Sequence, residues 1–170
     1  EPMYDGSLFH VSINGSDNND GSIDNPFSSI QFAYDRANEN DTILVHPGTY
    51  NGEIWLYGKN IVLGSLYLST GDTSFIISTI IDGDSTDCTI AIYGDIDSTC
   101  RVTGFTIQNG VGCVYGQGAG IYVESASPRL DNLIIKNNVS GTNGGGICLN
   151  GNSNSFIDKV VIQNNNAETG

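Results

Sequence analysis

Charge is scarce in this chain, and positive charge scarcest of all: Asp and Glu number 19, Lys and Arg six, and the formal net charge is −13. A field of that sign repels polyanions, so no nucleic-acid or anionic-membrane partner is expected. Long apolar runs are missing as well. No stretch approaches the roughly 20 apolar residues that a spanning helix needs, so membrane insertion of that kind is not expected. Metal-binding spacing is equally absent. Cys88, Cys100, Cys113 and Cys148 form no C-x-x-C pair, and His10 and His46 lie far from them in sequence, which points away from zinc. Regular Thr-x-Thr rows are lacking, which sets aside a flat ice-binding face. Glu1 opens the sequence without an initiator Met, which fits either a removed signal peptide or a trimmed chain.

Polarity comes instead from Asn, Ser, Thr and 22 glycines, a composition suited to many tight turns. The 170 residues suffice for one domain with a substantial core. The strongest signal is repetition. Val102-Thr-Gly-Phe105-Thr-Ile107-Gln-Asn109 recurs as Leu130-Asp-Asn-Leu133-Ile-Ile135-Lys-Asn137 and again as Ile157-Asp-Lys-Val160-Val-Ile162-Gln-Asn164. Gly118-Ala-Gly-Ile121-Tyr-Val123 returns as Gly144-Gly-Gly-Ile147-Cys-Leu149. A period in this range marks units that bury their apolar faces only against neighbours. The apolar residues alternate and are largely β-branched, which is strand periodicity. The expected fold is all-β: a right-handed parallel β-helix, a solenoid with a short N-terminal capping helix. Residues 1–41 form the strand, loop and cap, and residues 42–170 form about five coils, continuous as one domain. Ile61 to Leu63, Phe75 to Ile81 and Cys88 to Tyr93 read as irregular early coils.

Several residues take expected places in this frame. Asn109, Asn137 and Asn164 fall at matched strand ends, where amides stacked on successive coils form an Asn ladder. Cys88 shares parity with Ile90 and Ile92, and Cys100 with Val102, so both point inward, either as a Cys88–Cys100 disulfide or as two buried thiols. Ser28 and Gln31 form a capping-box pair after Pro26, and Ile30, Ala33, Tyr34 and Ala37 supply the apolar stripe of a short helix. In the loop before it, Asp17, Asn19 and Asp20 are the residues a Ca²⁺ site would use, but they break the alternation of a calcium loop and no Glu closes it, so a solvated turn and no cofactor are favoured. Gly170 stands where the next glycine run would begin. The expectation is therefore either a segment of a longer repeat protein or an open coil that associates end to end.

The runs His10-Val-Ser-Ile-Asn-Gly-Ser-Asp and Asp41-Thr-Ile-Leu-Val-His-Pro-Gly-Thr-Tyr50, with Ile81-Asp-Gly83 and Gly104-Phe-Thr-Ile-Gln-Asn-Gly110, resemble secreted pectate-lyase-like β-helix proteins. The Gly-Gly-Gly-Ile and Ile-x-Asn-Asn elements are similar to repeats of polymorphic outer-membrane adhesins. This resemblance implies the fold and an extracellular or cell-surface setting. It covers lyases, hydrolases, adhesins and structural proteins alike. A lyase would need a basic residue beside acidic ones, for which Arg101 and Arg129 are the candidates on the coils. Paired carboxylates of a hydrolase would come from Asp82 and Asp84, or Asp95 and Asp97. Turn aspartates and arginines paired with local carboxylates are the plainer reading, and the Gly-His-Gly and Arg-Ile-Lys elements of polygalacturonases are missing. Trp55 and Tyr57 share one strand face, and stand outside as platforms for a saccharide or a partner protein, or else pack under the N-terminal loop. Tyr67, Tyr93 and Tyr122 are candidates to extend that strip. Asn14, Asn40 and Asn138 fit the N-glycosylation pattern. The function expected is a non-catalytic surface or secreted β-helix, adhesive or self-associating. The alternative is a carbohydrate-active enzyme, lyase or glycoside hydrolase, or a polysaccharide-binding module.

Overall fold

The computed structural model describes residues 7–113 and 116–169. The chain enters through strand β1 (Leu8–Val11) and helix α1 (Ile30–Arg36), then runs repeated circuits of three short strands. The first circuit is β2 (Thr42–Val45), β3 (Gly48–Asn51) and β4 (Ile54–Tyr57). The second is β5 (Val62–Ser65), helices α2 (Tyr67–Thr70) and α3 (Ser74–Ser78), then β6 (Thr79–Asp82) and β7 (Ile90–Tyr93). β8 (Arg101–Thr103), β9 (Thr106–Gln108) and β10 (Ile121–Glu124) make the third. The fourth is β11 (Arg129–Lys136), β12 (Val139–Ser140) and β13 (Ile147–Asn150). β14 (Phe156–Gln163) and β15 (Asn166–Ala167) follow.

Every pairing among these strands is parallel, and each circuit lies in register on the one before. Beside a two-stranded pairing of β12 with β15, three columns result. One runs through β1, β2, β5, β8 and the first half of β11. A second runs through β3, β6, β9 and the second half of β11, and a third through β4, β7, β10 and β13. The first two share β11 and β14 because those strands bend midway. At the bend Asn132 (φ 53°) and Lys159 (φ 51°) are left-handed, in line with Gly104 (φ 85°), and this turns the strand from one column to the next. The architecture is mostly β, with parallel sheets and few helices, and is β-helix-like.

The repeats identified in the sequence pair as aligned: Val102 with Leu130 and Leu130 with Ile157, Ile107 with Ile135 and Ile135 with Ile162, Ile121 with Ile147. Inside, like residues stack on like. Leu63, Val102 and Leu130 form one buried ladder; Ile54, Ile90 and Ile121 form another. Each such side chain contributes about 1.5–3 kcal/mol on burial.

α1 packs on β1, β2 and β4, with Ile30, Ala33 and Tyr34 in the core. Its N-cap is Ser29, whose Oγ accepts the Phe32 N–H, so the expected Ser28–Gln31 capping box does not form. Gln31 is used elsewhere. Its amide brackets the Trp55 backbone (Trp55 N to Oε1 2.8 Å, Nε2 to Trp55 O 3.3 Å), and the Tyr34 hydroxyl does the same for Tyr57 (2.6 and 3.0 Å). Side chains of α1 thus satisfy the edge of β4 where a strand would otherwise pair. Lys59 Nζ closes the other end of α1, donating to Tyr34 O and Ala37 O.

Four further expectations are corrected. The irregular coil read from Phe75 to Ile81 is strand only from Thr79; Ser74 to Ser78 is helical, opened by Asp72 Oδ1, which accepts the Ser74 N–H. The Asn ladder lies one residue on. Asn109, Asn137 and Asn164 have φ of 60°, 57° and 55°, so they are the left-handed turn residues, while the stacked amides belong to Asn138 and Asn165. Asn138 Nδ2 donates to Asn165 Oδ1 (2.9 Å) and Ile107 O, its Oδ1 accepts Gly110 N, and Asn165 Nδ2 donates to Ile135 O. Asn138 is fully buried, which removes it as a glycosylation acceptor, whereas Asn14 and Asn40 are exposed. The disulfide joins Cys88 to Cys113, with Cα atoms 4.7 Å apart, and not to Cys100. Parity breaks at Thr89, whose hydroxyl turns to Gln108 O, so Cys88 packs with Ala91 and Tyr122 outside the main core. Cys100 is a buried thiol within that core, and burial pushes it up to about 12. Gly170, where a further glycine run was expected, lies outside the described residues.

Candidate functional site

Alternation along the third column sends Ile54 and Leu56 inward and Trp55 and Tyr57 outward, 45% and 70% exposed. Register then builds an outer face from successive circuits: Trp55 beside Ala91, Tyr122 and Cys148, and Tyr57 beside Tyr93, Glu124 and Asn150. Trp55 stacks on Tyr93 with centroids 5.4 Å apart and planes 18° from parallel, and Tyr93 meets Tyr122 at 5.6 Å. The small Ala91 leaves room for that stacking. Tyr122 donates its hydroxyl hydrogen to Glu124 and accepts from Asn150 Nδ2 (3.0 Å each), while burial raises Tyr93 to about 12. Tyr67 does not join the row; it sits on α2 and donates to Asn132 Oδ1.

Just ahead of this row, one corner collects sulfur and carboxylate. Glu53 precedes β4, Asp87 and Cys88 precede β7, and Cys113 precedes β10, so three circuits contribute at one level of the contour. One ligand atom from each of the four lies within 4.8 Å of the others. Glu53 Oε1 is 3.0 Å from Cys88 Sγ and 3.7 Å from Cys113 Sγ. Burial, aided by the Asp87 charge and opposed by a Trp55 side-chain hydrogen bond, raises Glu53 to about 7. The sequence spacing gave no hint of this corner in metal-motif terms. A signal was present all the same: Cys88 and Cys113 are 25 residues apart, one coil period.

Among the residues singled out for catalysis, Asp82 stands in the second column and Arg101 and Arg129 in the first, each group with partners of its own. Asp82 Oδ1 accepts Asp84 N, and its Oδ2 accepts from Gln108 and Asn109. Arg101 grips Asp131 through two bonds of 2.7 Å, and Arg129 Nε reaches the same carboxylate at 2.9 Å. Both arginines are thereby matched to a buried acid. Burial would raise Asp131, but the two arginines and Thr103 hold it at about 2. Asp97 accepts from Thr99 within a turn. In the N-terminal loop, Asp17 accepts Ser28 N and Ser29 N, Asn19 donates to Pro26 O, and Asp20 accepts Ser22 N, so the three point to different partners. A cleft of about 310 Å³ lies between α1 and β3, lined by Gln31, Tyr50 and Glu53 among others. His10 Nδ1 and His46 Nε2 meet at 3.0 Å, and burial lowers both.

Parallel columns with an aromatic row on one face define a β-helix-like protein. Residues 13–169 match the family described as protein of unknown function (DUF1565), a family associated with parallel β-helix proteins, and the chain belongs to it. No curated protein and no solved structure matches the chain.

Proposed function

We propose that this chain is a right-handed parallel β-helix capped by α1, working outside the cytoplasm as a non-catalytic adhesion module that binds neutral polysaccharide. The observation that carries this reading is the Trp55–Tyr93–Tyr122 row with Tyr57 beside it, ordered by stacking yet open to solvent at Trp55 and Tyr57. Flat rings with a polar rim of Glu124 and Asn150 suit the C–H faces and hydroxyls of a sugar. The net charge of −13 favours a neutral glycan over an acidic one, and Asp131 already engages Arg101 and Arg129, which an acidic sugar would require. A disulfide fits an oxidising compartment. The engagement of Asp82 by Gln108 and of Arg101 and Arg129 by Asp131 supports the non-catalytic reading.

Titration calorimetry against a panel of neutral and acidic polysaccharides tests the proposal. A neutral glycan is expected to bind, and Trp55→Ala or Tyr57→Ala to weaken it at least tenfold with the fold unchanged by circular dichroism. Binding unaffected by either substitution, or none across the panel, would overturn it. New reducing ends or the absorbance of unsaturated products would instead favour the enzyme.

A further inference from the structure

We infer that Cys88 and Cys113, in their reduced state, bind a thiophilic divalent cation of the Zn²⁺ class together with Glu53 and Asp87. This goes beyond the sugar-binding reading and stands on different residues. Four donor atoms, two of them the sulfurs joined in the disulfide, already lie within 4.8 Å of one another. Zinc–sulfur bonds of about 2.3 Å and zinc–oxygen bonds of about 2.1 Å place ligands roughly 3.4–3.8 Å apart. Once the sulfur–sulfur bond is gone, the two sulfurs need only separate to that distance. The other ligands are held by the backbone: Ile54 N donates to Thr89 O beside Glu53, and Val111 N donates to Asp87 O. Cys113 N is fixed on Gln117 O, and Asp87 Oδ1 accepts Cys88 N.

The donor set selects the ion. Two thiolates favour zinc over calcium or magnesium, which prefer all-oxygen shells. Charge favours a cation too. Both salt bridges among the described residues end on Asp131, so neither Glu53 nor Asp87 has a basic partner there. The disulfide and the metal site exclude each other, because the same sulfur electrons serve both. A phosphine reductant takes the disulfide to the metal-binding form: the S–S bond breaks, phosphine and water become phosphine oxide, and two thiols form. The cation then displaces two thiol protons to solvent.

Co²⁺ added anaerobically to the phosphine-reduced chain provides the test. One equivalent is expected to bind with thiolate charge-transfer absorbance and tetrahedral visible bands, and Zn²⁺ to displace it. The disulfide form should show neither band. Cys88→Ser or Cys113→Ser should abolish the signal, while Cys148→Ser preserves it. Glu53→Gln and Asp87→Asn, which keep both cysteines, should weaken binding at least tenfold. The inference is overturned if the reduced chain gives no thiolate bands, if the bands survive in the Cys88→Ser and Cys113→Ser variants, or if the disulfide form binds equally. Unchanged affinity in both carboxylate variants would overturn the four-ligand site.

Discussion

Asp131 has no water to itself: its side chain is fully buried and carries two arginines and a threonine hydroxyl. Such a group ties stability to acidity in a definite direction. Its pKa is lowered from 3.8 to about 2, so the folded chain holds fewer protons on it than the unfolded chain does. The stabilisation is complete above pH 3.8 and is lost as pH falls towards 2. Asp131→Asn is expected to destabilise the protein by roughly 3 kcal/mol at pH 7, because two guanidinium groups lose their counterion. Urea unfolding at stepped pH should show the gap between wild type and variant closing between pH 4 and 2. A gap independent of pH would mean that ionisation of the Asp131 carboxylate is not the source of the stabilisation. The neighbouring positions Asn137 and Asn138 separate two kinds of need. Asn138→Ala leaves the buried Gly110 N–H without its acceptor and should cost about 1–3 kcal/mol. Asn137→Gly, at φ 57°, should be neutral or slightly stabilising in the same unfolding assay.

Among the elements, α1 does for β4 what another strand would do, using one amide and one phenol. Gln31→Ala with Tyr34→Phe removes that service, and amide exchange at Trp55 and Tyr57 should quicken at least tenfold while the β10–β13 amides stay protected. Uniform acceleration would instead mean global destabilisation. The stripe Ile30, Ala33 and Tyr34 was legible from spacing, because helix periodicity is local. The cap residue was not, since Ser28 and Ser29 are equally suited chemically and the choice is made by Asp17, which takes both backbone N–H groups from eleven and twelve residues away. Similarly, the register from Arg101 to Gln163 could be read directly where circuits are nearly equal in length. α2 and α3 could not, because an insertion erases the period that would reveal it. The sulfur–carboxylate corner was hidden for the same reason: Glu53 belongs to one circuit, Asp87 and Cys88 to the next, and Cys113 to the third. Trp55 and Tyr57 were readable because strict alternation needs only their own strand.

At the scale of the whole molecule, the ladders of the interior run on into β13 and β14. Leu149, Ile157 and Ile162 continue the buried rows of Val123, Leu130 and Ile135, yet they are 42%, 42% and 54% exposed. For the 170-residue chain this edge is expected to pair with a second copy, since each copy carries the same row of apolar side chains and strand hydrogen-bonding groups. Light scattering should show mass rising with concentration, and Ile157→Lys with Ile162→Lys should return the monomer. A constant monomer mass across a wide concentration range would count against it.

The uneven circuits carry a consequence for how this protein measures space. Thr42 pairs with Val62 and Val62 with Arg101, so one step takes 20 residues and the next 39, yet each rises by a single strand spacing of about 4.8 Å. Extra residues leave sideways at the corners and add nothing to height. Address in this molecule is therefore given by storey and corner, not by residue number. New chemistry can be let into a corner by lengthening one storey, with the storeys above and below left where they stand.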